Sequence, residues 1–194
     1  MKKIAIVLVS TFLATSLVAC SNSASEKQPD YTVKNVNVAI TDNFHLIGQT
    51  FAKDSSGKKV DVKNKALYYE FKMKQNGDRD KFKKDKDVLE ATIIPDPDLK
   101  KASKDIVGVD IFKKNHDEYG YGMGMVGFDA TKSGKVSVDY EVGATVKNNY
   151  IPLAPSNKEL KKLAKVARHG TLVLTRDKKE IARYSLEDLK PIEK

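Results

Sequence analysis

Few residues in this chain have the types and spacing that chemistry requires. His116-Asp117-Glu118 sets an imidazole beside two carboxylates, donor types that hold a divalent ion. Adjacent strand residues point to opposite faces, so the three reach one ion only from a loop. Met123 and Met125 lie two apart, and two thioethers on one strand face would suit Cu(I), although packing is the commoner use of such a pair. Gly122-Met123-Gly124-Met125-Val126-Gly127 spells G-x-G-x-x-G. That run leads into Phe128-Asp129-Ala130-Thr131 and a Ser133-Gly134 turn, with no helix whose N-terminus could grip a pyrophosphate. It reads instead as a strand with Tyr119, Tyr121, Met123 and Met125 on one face and bare glycine on the other, open to close approach by another backbone or a ligand. Asp96-Pro97-Asp98 lacks the alternating oxygens and closing Glu of an EF-hand loop. A Gly-x-Ser-x-Gly elbow is absent as well, so the sequence predicts no enzyme.

A second signal is charge. Lys plus Arg exceeds Asp plus Glu by nine. Lys158, Lys161, Lys162, Lys165 and Arg168 fall on one face of a predicted helix, opposite its leucines. Such a stripe attracts anionic phases, either lipid head groups or anionic wall polymers. Nucleic acid is not expected as a partner, because only four of the basic residues are arginine and bidentate base readout is mostly arginine's work.

The elements that must carry these residues follow from pattern. With 194 residues, 40% hydrophobic and 31% charged, the chain suits one packed domain and excludes a collagen, a disulfide scaffold or a polytopic membrane protein. Its single cysteine can close no internal disulfide and is too little for a thiolate zinc site. From Tyr31 onward the dominant period is two. Val36, Val38 and Ile40 alternate with polar or small residues, as do Leu67, Tyr69, Phe71 and Met73, and again Val136, Val138, Tyr140 and Val142. Each pattern predicts a strand with one buried face. Weaker strand signals cover 44–51, 59–62, 88–94, 106–112, 119–128, 171–175 and 181–184, with turn residues between them. Ser156-Asn157-Lys158-Glu159 is a capping box, and Leu160, Leu163, Ala164 and Ala167 give the helix it opens an inner face. Asp98 to Lys104 offers a shorter, poorly patterned helix, and residues 78–87 read as an exposed loop. The expected fold is mainly β: an antiparallel β-sandwich, immunoglobulin-like or related, spanning 31–190 with one short capping α-helix at about 156–168.

The first nineteen residues have the basic start and apolar run of an export signal, with about sixteen residues between Ile4 and Ala19, short of the roughly 20 that span a bilayer. The signal ends in Leu17-Val18-Ala19-Cys20, which resembles the lipobox of bacterial lipoproteins. That resemblance implies cleavage between Ala19 and Cys20 and a diacylglyceryl thioether on Cys20. Two acyl chains hold a protein stably where one binds only reversibly. No cofactor is expected apart from that covalent lipid. Loss of Lys2 and Lys3 with the leader would leave a mature charge of +7. Residues 20–30 are small and polar, a flexible tether reaching at most ~35 Å. The lipobox, the Ser-rich tether, the Lys-rich body of short strands and the strand Leu67-Tyr68-Tyr69-Glu70-Phe71 together resemble the immunoglobulin-like domains of small Gram-positive lipoproteins. The resemblance supplies no catalytic residues. It implies a lipid-anchored protein on the extracytoplasmic face of the cell membrane, with a non-enzymatic role in binding an envelope protein, a wall polymer or a small ligand. The alternative is a metal- or solute-capture lipoprotein working with a transporter, using His116, Asp117, Glu118 or the methionine strand.

Overall fold

The computed structural model describes residues 29–53, 56–76, 89–113, 119–128 and 132–193. Strand β1 (Tyr31–Thr41) leads through a one-turn helix α1 (Phe44–Ile47) into a small hairpin, β2 (Thr50–Lys53) and β3 (Lys59–Val62), and then into β4 (Asn64–Gln75). Strand β5 (Leu89–Pro95) runs straight into helix α2 (Pro97–Val107), and β6 (Tyr121–Gly127) pairs with the long β7 (Ser133–Ala144). Helix α3 (Asn157–Val166) precedes the closing hairpin β8 (Gly170–Arg176) and β9 (Lys179–Ser185). The strands form a four-stranded sheet in the order β1-β4-β7-β6 and a three-stranded sheet β5-β8-β9, with β2-β3 as a separate ribbon. All pairings between these strands are antiparallel. The expected mainly β, antiparallel sandwich is the observed fold.

The alternation along β4 and β7 sets the core. Leu67, Tyr69 and Phe71 are fully buried beside Val136, Val138 and Val142. They share one cluster with Ala91, Ile93, Leu172 and Leu174 of the smaller sheet and with Leu99, Leu160 and Leu163 of the helices. Each buried Leu, Ile, Val or Phe side chain among them contributes roughly 1.5–3 kcal/mol on leaving water. Tyr140 joins the layers. Its ring lies 4.7 Å from Phe112, 5.4 Å from Tyr121 and 6.3 Å from Tyr69, measured between centroids. Its hydroxyl accepts the Ile93 N–H at 2.8 Å. Tyr121 donates its hydroxyl to the Ala91 carbonyl, and the Ala91 N–H donates to Met123 Sδ at 3.2 Å. Across the core, the Tyr69 hydroxyl donates to the Ala167 carbonyl at 2.8 Å and fixes the end of α3.

Local chemistry explains the helices. Ser156 and Glu159 form the expected capping box, and α3 packs against α2 and β1. Three readings are corrected. The Asp98–Lys104 stretch is part of an eleven-residue helix, α2, in which Pro97 takes the first turn where its missing N–H costs nothing, and Gly108 closes it in the left-handed region. The strand expected at 106–112 does not form. Ser103 Oγ donates to the Val109 carbonyl at 2.7 Å and accepts the Ile111 N–H at 3.0 Å, folding that segment back as a turn. The strand expected at 44–51 is split, because Asn43 Oδ1 accepts the His45 N–H at 3.0 Å and caps α1 before β2 starts.

The sandwich has two distinct poles. At one, Tyr31 pairs with Gln75, Gly127 with Gly134, and Arg176 meets Asp30 at 3.4 Å. The described chain enters here. At the other, Thr41 pairs with Ala66 and Asn64 with Ala144, and α1, β2-β3 and the start of α3 gather there. No helix among the described residues is long and apolar enough to cross a membrane.

Candidate functional site

The pole opposite the entering chain carries two recesses that share Asp42. The larger, about 460 Å³, lies between the end of β1, the start of β4 and the first turns of α3. Its walls combine apolar Ile40, Leu160 and Ala164 with charged Lys65, Lys161 and Asp42. Lys65 Nζ donates to Asn157 Oδ1 at 2.9 Å across the groove, which holds one ammonium at its edge. Lys158, Lys162 and Lys165 stand exposed on α3, and with Lys161 they form no ion pair with any described residue. Four like charges within two helical turns repel one another, so a polyanion along this face relieves a cost already present. Arg168 behaves differently. Its Nε donates to the Leu186 carbonyl at 2.8 Å and its Nη2 to the Glu187 carbonyl at 2.6 Å, so its guanidinium ties the end of α3 to the turn after β9. The second recess, about 380 Å³, lies beneath exposed Phe44 and between Asp61, Lys63, Asn64 and Thr145.

The large sheet's other face holds a buried acid pair. Asp139 and Glu141 are 7% and 3% exposed. Glu141 is well held: its Oε1 accepts from Thr50 Oγ1 at 3.2 Å and its Oε2 from the Gly120 N–H at 2.7 Å. Asn64 Nδ2 donates in turn to Thr50 Oγ1 at 2.8 Å. Asp139 rests against β6 where Gly122 presents only its α-carbon, and a β-carbon there would collide with the carboxylate. Gly124 makes the same room for Ser137, whose Oγ lies 2.7 Å from the position a β-carbon would take. The glycine alternation of β6 therefore seats polar side chains of β7. Desolvation, reinforced by the charge of Glu141, pushes the Asp139 carboxyl up to about 7.

Several expected site residues, Ala19, Cys20, His116, Asp117 and Glu118, lie outside the described residues. Met123 and Met125 share a face of β6, with Met123 already serving Ala91. Among the described residues, no group of three His, Cys, Asp or Glu side chains could hold a metal ion. His169 is engaged with Asp98 and stands 3.9 Å from Glu187, while the His45 ring lies tilted against Phe44, 3.8 Å between centroids. Sequence reasoning found the lysine face but missed Lys65, Asn157 and Asp42, which only the fold brings beside it. The acid pair was hidden as well, because Ser137, Asp139 and Glu141 alternate as an ordinary wet face does. Set against known proteins, this chain matches no family model, no curated protein and no solved structure.

Proposed function

We propose that this is a lipid-anchored envelope protein, held through Cys20 at the extracytoplasmic face of the cell membrane, that binds an anionic polymer without catalysis. The single observation carrying the reading is the groove between β1, β4 and α3, lined by Lys65 and Lys161, on a helix that also exposes Lys158, Lys162 and Lys165, none of the four α3 lysines lying within ion-pair distance of a described carboxylate. Its position agrees with that role. The entering chain reaches β1 at Tyr31, and the groove begins at Ile40, about 30 Å along an extended strand. Tethering at the first end leaves the second free to face away from the bilayer, within reach of a wall polymer.

The experiment measures binding of the full chain, extracted in detergent, to poly(glycerol phosphate) at graded salt. Near-surface lysines are worth about 1 kcal/mol each toward an anionic phase, so Lys161→Gln with Lys165→Gln lowers affinity about thirtyfold and flattens the salt dependence. Equal affinity for variant and parent refutes the groove. The anchor is tested separately by Cys20→Ala with labelled palmitate, where undiminished label in the variant contradicts lipidation at this residue.

A further inference from the structure

The two sheets of the sandwich have four edge strands, and the chain protects three of them. An unprotected edge is a template for another strand, and proteins blunt such edges with charges, bulges or coverings. β1 carries Lys34 and a register shift between Val33 and Asn35. β9 carries Lys179, Glu180 and Arg183 and is covered by the following chain, where Ile192 N–H donates to the Arg183 carbonyl at 3.0 Å and Ser185 N–H to the Lys190 carbonyl at 3.0 Å. The outer edge of β5 is capped by Tyr140, Tyr121 and Met123. Among the described residues, β6 shows none of these devices.

Its sequence, Tyr-Gly-Met-Gly-Met-Val-Gly, contains no charge and no proline. The even-numbered residues bond inward to β7, as the flanking bonds from Glu141 N–H to the Gly120 carbonyl and from Phe128 N–H to the Ser133 carbonyl indicate. By the antiparallel alternation, the N–H and C=O groups of Met123 and Met125 therefore point outward. No described strand pairs there. Apolar side chains flank this edge, with Met125 52% and Val126 71% exposed.

We infer that β6 is a self-association edge, at which a second copy of this chain adds its own β6 antiparallel across a two-fold axis. Two observations select a second copy as the occupant. The first is register: an axis through Gly124 sets Met123 opposite Met125 of the second copy, so both outward-facing residues exchange hydrogen bonds and the methionines meet on one face. On the other face Val126 stands opposite Gly122 of the second copy, where no side chain competes for the space. The second is charge. Two copies of a chain whose net charge is +9, or +7 without the leader, repel across most of their surface, and residues 121–127 form a neutral strip on which they can meet. The two four-stranded sheets then become one of eight. In a C2 pair the same patch serves both subunits, so one uncharged strand suffices.

The test is sedimentation velocity of the full chain in detergent from about 1 to about 200 μM, the range in which small interfaces dissociate. It is paired with amide hydrogen exchange at both concentration limits. A concentration-dependent dimer is expected, with exchange at the Met123 and Met125 amides slowed at least about tenfold on association, while the Gly122 and Gly124 amides stay protected throughout. Met125→Lys returns the chain to monomer. A chain that stays monomeric at every concentration overturns the inference and leaves the edge to a foreign strand. So does a dimer in which the two methionine amides keep their monomer rates, or one that survives Met125→Lys. Should that variant not fold, exchange in the unaltered chain decides alone.

Discussion

Replacing Asp139 by asparagine stabilises the protein, and does so in a pH-dependent way. The carboxyl belongs to a strand residue only 7% exposed, pressed against Gly122 and near Glu141. Its affinity for a proton rises from an ordinary 3.8 to about 7, roughly three powers of ten. At about 1.36 kcal/mol each, these set a ceiling near 4 kcal/mol. Solvent at the carboxylate edge and relaxation of the site reduce the expected value to about 2 kcal/mol. The sign follows from linkage. Between about pH 4 and pH 7 the unfolded chain has released this proton and the folded chain has not, so the native state loses stability as pH rises through that window. A carboxamide at this position releases no proton in either state. The assay is urea unfolding of parent and Asp139→Asn at pH 4.5 and pH 8. The variant's advantage grows by about 2 kcal/mol between the two, equivalent to about 4–8 °C in Tm for a domain of this size. Parallel loss of stability in both proteins, with a constant difference, refutes the claim that Asp139 is buried with its proton on.

Tyr140→Phe leaves the ring cluster in place but strands the buried Ile93 N–H, so it costs about 1–3 kcal/mol, measurable by the same unfolding; a change under about 0.5 kcal/mol shows that the hydroxyl does not join the sheets. His169 titrates above 6.5, chiefly because its ring is hydrogen-bonded to Asp98, and NMR of the ring protons places its midpoint. The pair's contribution to stability is complete below the free imidazole's pKa and fades as pH rises through the elevated one. Asp98→Asn brings the midpoint down, and an unmoved midpoint shows that another group sets it.

The long strands and α3 were legible in sequence because their signals are local. Leu67, Tyr69 and Phe71 alternate with Tyr68 and Glu70, and Ser156 announces its helix three residues before Glu159 answers. The β8-β9 turn was legible too. Asp177 and Lys178 both adopt positive φ there, at 49° and 63°, the twist that two-residue hairpins favour. What sequence hid was non-local. Asn43 converts an apparent strand into α1 through one side-chain bond, and Ser103 folds back a stretch that reads as β. The groove depends on Lys65 meeting Asn157 across 92 residues, and no window on the sequence contains both. The acid pair escaped because alternation identifies two faces of a strand without saying whether the polar one is covered.

The direction of β1 has a mechanical meaning. This edge strand lies beside β4 through ten matched residues, from Tyr31 to Thr41. A pull on the chain at Asp30, with the opposite end of the molecule gripped, runs along that ladder, so its rungs strain together. Peeling the strand sideways would break them one after another. A leash fastened at this corner therefore loads the molecule in shear, the orientation in which a β-ladder resists tension best.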